Sequence, residues 1–320
     1  MMNSIGRITI GVFLLSTLMT EAQDLYLYSL GSFESEDIEA VGFLSLSDGY
    51  GFKEVTSKSF IDKDYLGDMN HGNENFHVLS KENRAAFLEE MWIDDSLSLY
   101  VRSLVRDSTF VFPVNELRVV AFLSPYAYGE GIEPYDYMVG FEIPYNMFSS
   151  KGEEEIYGEA IACFAYESPF VDGGLVAIEW EEYVGKLPDS CDIEVEEYWS
   201  TDFLMDAKSY SFNHEGLTYY LTDQEADNLI LARRLLIYED ETSTCVFKRT
   251  YWESEGTYLL PLNGTDEYYM DYILQWTGLL FKDQPEVVFG FEGHSFGCPY
   301  ISLIGHSNRD PIPIFCDNRH

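Results

Sequence analysis

Gly293-His294-Ser295-Phe296-Gly297 matches the G-x-S-x-G pattern that raises a nucleophilic serine between a strand and a helix. The chemistry would be acyl transfer, with a histidine activating the hydroxyl and a carboxylate orienting the histidine. Residues 287–291 read as the required strand, but Cys298-Pro299-Tyr300-Ile301-Ser302 does not read as a helix. Only 320 − 295 = 25 residues follow Ser295, too few for the rest of a hydrolase sheet. Asp310 or Asp317, with His306 or His320, would have to complete the triad. Two glycines around a turn between strands explain the pattern more simply.

Gly-His-Ser recurs at Gly305-His306-Ser307. His294 and His306, with His320 or Asp317, would suit Zn²⁺, but their spacing follows no established ligand pattern, and two polar turns are the simpler account. Asp62-Lys63-Asp64-Tyr65-Leu66-Gly67-Asp68 opens like a Ca²⁺ loop, with carboxylates at loop positions 1 and 3 and glycine at 6. Leu66 offers no oxygen at position 5, and Asn73 stands where a bidentate glutamate is expected. No cofactor is identified; a Ca²⁺ site here is the alternative to an ordinary acidic loop, which is the simpler account.

Glu179, Glu181, Glu182, Glu253 and Glu255 flank Trp180 or Trp252, the palette of a glycan-cleaving cleft. Such chemistry needs two carboxyl groups about 5 to 9.5 Å apart, a separation that spacing in sequence does not fix. Asn263-Gly264-Thr265 is an N-glycosylation sequon, meaningful in a eukaryotic secretory route. There is no P-loop, dinucleotide fingerprint, CxxC or HExxH motif.

These residues must be held by strands. Runs of 4 to 8 apolar and aromatic residues, many alternating, are separated by Gly, Pro, Asn, Asp and Ser. They fall at 24–30, 40–46, 97–105, 110–114, 118–123, 137–143, 159–166, 175–180, 217–221, 235–238, 245–252, 287–291, 299–304 and 312–315. Three helices are expected, at 81–92 behind an N-cap at Ser80, at 222–231 behind Thr222-Asp223-Gln224-Glu225, and at 266–276, the last ambiguous because 272–281 also reads as a strand. The fold class is mainly β, with antiparallel sandwich-like sheets and a few short helices. Two β-rich units, 23–150 and 151–320, would meet at the polar stretch 149–155, although a single domain also fits. Short irregular strands with charges on both faces argue against a transmembrane barrel.

The first 22 residues read as a secretory signal peptide. Arg7 supplies the positive start, 8–19 the apolar run, and Thr20 and Ala22 the small-residue site for a cut before Gln23. The segment resembles export signals of some Gram-negative bacteria. It is too short to span a bilayer, so no integral span is expected after cleavage. The remaining 320 − 22 = 298 residues would lie in the periplasm or outside the cell.

Five cysteines remain, Cys163, Cys191, Cys245, Cys298 and Cys316, and an oxidising compartment would let them pair. Cys298 and Cys316 are the candidate disulfide, because antiparallel strands centred near Ser307 would set them opposite one another. The net charge is −37, from 56 acidic against 19 basic residues, and Arg7 and Glu21 cancel within the signal. Such a surface repels phosphate backbones and excludes nucleic acid as a natural partner. Spread over many short runs, the acid reads first as a solvated surface. Aromatics at 16 % suit both β-sheet and a sugar-binding face. The expectation is an exported acidic protein that binds a ligand or partner without catalysis, the alternative being a secreted hydrolase. The ligand and the oligomeric state are open at this level.

Overall fold

Alternating apolar residues make strands with two usable faces, and this chain uses both faces of its largest sheet. The computed structural model describes residues 25–35, 38–46, 76–124, 136–144, 160–188, 191, 208–226, 229–265, 273–305 and 310–317. The signal segment 1–22, the Ca²⁺ loop 62–73, the polar stretch 149–155, His306 and His320 lie outside those residues.

Nine strands form the central sheet. In spatial order they are β10 (Leu175–Ala177), β17 (Trp276–Gly278), β18 (Val287–Phe289), β20 (Tyr300–Leu303), β21 (Ile312–Phe315), β1 (Leu27–Ser29), β9 (Ala160–Ala165), β5 (Ser98–Ser103) and β6 (Ser108–Pro113). Neighbours run antiparallel except β1 and β21, which are parallel, with Leu27 opposite Ile314. Strands from both sides of residue 150 join this sheet, since β9 pairs with β1 and with β5.

Leu27, Ile161, Trp276, Val287, Ile301 and Ile314 build a core on one face. The 166–174 link crosses it, burying Phe170 against Phe281. The other face carries two further cores, each under a five-stranded sheet. One sheet is β2 (Gly31–Ser35), β3 (Ile38–Ser45), β8 (Tyr137–Ile143), β7 (Val119–Leu123) and β4 (Phe76–Val78). Its Leu44, Phe141, Val119 and Ala121 pack with Leu99, Val101 and Ala162 of the central sheet. The other is β11 (Glu181–Glu182), β12 (Ser209–His214), β13 (Leu217–Ala226), β14 (Leu229–Glu239) and β15 (Thr244–Trp252). Its Tyr219, Leu221, Leu235, Ile237 and Phe247 pack with Val288, Phe291 and Ile304. The fold is therefore mainly β, in antiparallel sandwich-like layers. A short ribbon of β16 (Thr257–Leu259) and β19 (Glu292–His294) closes the second sandwich at one margin.

The expected helix at 81–92 is α1 (Lys81–Glu90), with the Ser80 hydroxyl accepting from the Asn83 amide at 3.2 Å. Phe87 and Leu88 bury its apolar side. The expected helix at 222–231 does not form: 222–226 finishes β13 and 229–231 opens β14. Local capping chemistry loses there to the ladder, in which Asp223 stands opposite Arg233 and both are buried. Of the expected helix at 266–276, residues 266–272 lie outside the described residues and 273–275 have no regular structure; strand β17 begins at Trp276, inside the alternative strand reading of 272–281.

Cys298 and Cys316 are bonded, with Cα atoms 5.5 Å apart, and Tyr300 lies opposite Pro313 just inside them. A second disulfide joins Cys191 to Cys245 across 54 residues. Cys163 is left as a buried thiol, its pKa pushed up to about 11 by burial.

Candidate functional site

Position along β15 decides which side chains enter the second sandwich. Phe247, Arg249 and Tyr251 share one face, two residues apart, and meet Ile237, Leu235 and Arg233 across the ladder. This face looks at the central sheet, so Arg249 and Tyr251 are delivered among apolar residues. There they meet Tyr300 and Ser302 from β20 and Glu292 from β19.

Arg249 is half-buried. Its guanidinium lies over the Tyr300 ring, 5.0 Å from the centroid, and donates through Nη1 to the Ser302 hydroxyl at 2.8 Å. No carboxylate stands within ion-pair distance of it among the described residues. The Tyr300 hydroxyl donates to Glu292 Oε2 at 2.5 Å, and Glu292 Oε1 accepts from the Trp252 amide at 3.3 Å. Both oxygens of this carboxylate are thus engaged. Burial, then the Glu292 charge, push the Tyr300 pKa well above its ordinary value, against a lowering pull from Arg249. Tyr300 is a neutral donor at any physiological pH.

Tyr251 stacks on Phe291 at 4.8 Å and is 2 % exposed. Its hydroxyl has no hydrogen-bond partner among the described residues. Burial drives its pKa far up, and the charged or polar groups acting on it are Tyr300, Arg249 and Glu292. A buried hydroxyl without a partner costs about 1 to 3 kcal/mol. The seam therefore holds an open cationic fork and an unused donor-acceptor side by side. Trp252, next along β15, points to the other face of the sheet and is 36 % exposed.

Ser295 does not stand on a nucleophile elbow. It is exposed, its amide donates to the Gly256 carbonyl at 2.8 Å, and the chain continues into strand β20 instead of a helix. The motif's glycines have local work. The Tyr258 ring lies where a Cβ on Gly293 would point, and Gly297 has φ +118°. His294 turns toward Tyr300, with ring centroids 6.2 Å apart, and lies 3.5 Å from the Thr257 hydroxyl. Asp317 accepts from the Ser45 hydroxyl at 2.5 Å, tying the last strand to β3. Among the described residues no three His, Cys, Asp or Glu side chains gather for a metal.

The glutamates beside the two tryptophans separate into sets. Glu181 and Glu182 lie on β11, while Glu253 and Glu255 follow β15, at the opposite edge of the same five-stranded sheet. Four inter-strand steps of ~4.8 Å put the edges roughly 19 Å apart, beyond the reach of a glycosidase pair. Glu179 is exposed as well.

The sequon is structural. Asn263 is 2 % exposed, and its Nδ2 donates to the carbonyls of Ile178 at 2.9 Å and Gln275 at 3.1 Å. Its Oδ1 accepts from the Leu274 amide at 3.0 Å, and its own amide donates to Gln275 Oε1 at 2.8 Å. Gln275 in turn donates to Pro261 and Gly290. A glycan on Nδ2 is incompatible with this lock.

Arg249, Tyr300 and Glu292 were not singled out as a site by motif. The usable signal was an arginine on the inward face of an alternating strand, where an apolar residue is the rule. The chain matches no protein-family model, no curated protein and no solved structure. Among the described residues no helix is long and apolar enough to cross a membrane.

Proposed function

We propose that this chain is an exported, non-enzymatic binding protein of the periplasm or the medium, and that it takes its ligand at the Arg249–Tyr300 seam. One observation carries the reading: a half-buried guanidinium with a neutral hydroxyl as its hydrogen-bond partner lies beside a buried tyrosine hydroxyl with none. Groups desolvated and left unpaired cost stability, so their retention suits a site completed by something else. The two disulfides support export, because such bonds persist in oxidising compartments. The hydrolase alternative draws no support from Ser295, which has no elbow helix behind it, nor from glutamate sets at opposite sheet edges.

A thermal melt of the mature chain tests this against Ca²⁺, Zn²⁺ and a panel of neutral and charged sugars at matched ionic strength. Binding to the native state raises the midpoint as ligand increases, by about 2.7 kcal/mol of stability at a hundred times Kd. A saturable rise with one member is expected. A midpoint that follows bulk salt alone, whichever compound is added, would sink the binding reading.

A further inference from the structure

We propose that this protein forms a two-fold homodimer by pairing β6 of one copy with β6 of a second, antiparallel and centred on Val111. This interface is separate from the Arg249–Tyr300 seam and does not depend on a ligand there.

An open sheet edge pairs with any strand that reaches it unless brevity, charge or a bulge prevents it. Among the described residues the three large sheets have six edges, and five are protected in this way. β10 and β4 are three residues long, and β11 is two residues, both glutamates. β2 carries Glu34, and β15 carries Lys248 and Arg249. β6 is the exception. Ser108-Thr109-Phe110-Val111-Phe112-Pro113 holds no charge in a chain with 56 acidic residues, and it follows β5 without a bulge. Val111 is 56 % exposed, and Phe110 and Phe112 are only partly buried against their core.

The backbone of this edge is complementary to itself. The Val114 amide donates to the Leu97 carbonyl at 3.0 Å, which sets the phase of the β5–β6 ladder. Bonds to β5 therefore run through Ser108, Phe110 and Phe112, while the backbone groups of Thr109, Val111 and Pro113 point away from the sheet. Asp107 has the same parity, and its carbonyl already accepts from the Gly173 amide at 3.3 Å, so the open edge is 109–113. With Val111 opposite its own copy, the two Val111 residues exchange both bonds, and each Thr109 amide meets the Pro113 carbonyl of the other copy. Such a contact is isologous and closes at two copies. Arg106 and Glu116 are exposed and equally spaced about Val111, so this register brings opposite charges to the same end of the paired strands. Two chains at −37 repel one another, and an uncharged strand with balanced ends is the approach they tolerate best. Salt confines that repulsion to about 8 Å at physiological strength, so the dimer should tighten as salt is added.

The experiment is sedimentation equilibrium of the mature chain across a wide concentration range, in about 20 mM and about 300 mM NaCl. A species of twice the monomer mass should form as concentration rises, and at lower concentration in the higher salt. Val111→Pro removes the outward N–H and spares the bonds to β5, so it should weaken the dimer at least about tenfold while the melting midpoint of the dilute monomer stays close to wild type. Val111→Lys sets like charges face to face at the two-fold axis from an exposed position, and should weaken the dimer as much. If Val111→Pro lowers the midpoint by disturbing the hairpin, Val111→Lys decides. A wild-type chain that stays monomeric in both salts overturns the proposal. A dimer that survives Val111→Lys at wild-type strength also overturns it, since the interface would then lie elsewhere.

Discussion

Arg233 and Arg249 sit on the same inward face of neighbouring strands, two residue pairs apart on the β14–β15 ladder, and meet opposite fates. Arg233 is 1 % exposed and closed on all sides. Its Nε and Nη2 grip the two oxygens of Asp223 at 2.7 and 3.0 Å, and Nη1 donates to the Leu260 carbonyl at 2.6 Å. Arg249 stacks on a ring and reaches one hydroxyl. A buried charge is tolerable when its geometry is saturated, and Arg233 meets that condition entirely inside the protein. Arg249 does not, and sits at the margin where solvent or a ligand can finish the work. The difference separates a cation saturated by the protein from one that is half-exposed and carries no ion pair among the described residues.

The largest effect expected is at the closed pair. Asp223→Ala strands the Arg233 charge in the core and should cost about 3 to 5 kcal/mol, read as the loss of urea-unfolding free energy. Replacing both partners with apolar residues should recover much of that. Recovery would show that the cost lies in the orphaned charge. Removing the Cys191–Cys245 bridge by alanine substitution should cost about 4 kcal/mol, and removing Cys298–Cys316, with its shorter loop, about 3 kcal/mol. The second bridge flanks the strand that carries Tyr300 and Ser302, so its loss should also weaken any ligand at the seam, whereas loss of the first should not. Asn263→Ala leaves the half-buried Leu274 amide and the buried carbonyl of Ile178 without their side-chain partner and should cost about 1 to 3 kcal/mol.

Arg249→Met should change stability by about 1 kcal/mol or less, since the cation–π stack and one hydrogen bond are what it surrenders. An effect as large as that of Asp223→Ala would erase the contrast and make Arg249 structural. The smallest effect is alkaline. The unfolded chain releases the Cys163 proton near pH 9.0, but the folded chain holds it to about 11, so stability falls as pH rises through that window. Burial of Tyr28, whose pKa rises from 10.0 to about 12, extends the fall upward. Urea midpoints at pH 8 and pH 10 should differ in this direction, and Cys163→Ala should flatten the difference.

Periodicity carried the strands because a side chain's face in a sheet depends only on whether its position is odd or even. Thus 97–105 and 110–114 read as the hairpin that β5 and β6 form, and 299–304 with 312–315 set Cys298 opposite Cys316. The same local reasoning failed at 222–231. A capping box is a contest among near neighbours, and there the winning partner, Arg233, comes from the next strand. The simpler reading of Gly293 to Gly297, a turn between strands, matches the ribbon and turn that form there, whereas the burial of Asn263 in a lock was not legible locally.

Composition and alternation by themselves determined an acidic, mainly β chain with cysteines suited to pairing. Tertiary structure alone decided which of those residues meet. The Cys191–Cys245 bond, the saturation of Arg233 and the seam of Arg249, Tyr251, Glu292 and Tyr300 each join segments tens of residues apart. Distance in space is set by how sheets stack, and sheet stacking depends on the sum of apolar burial over the whole chain, a quantity no local motif encodes.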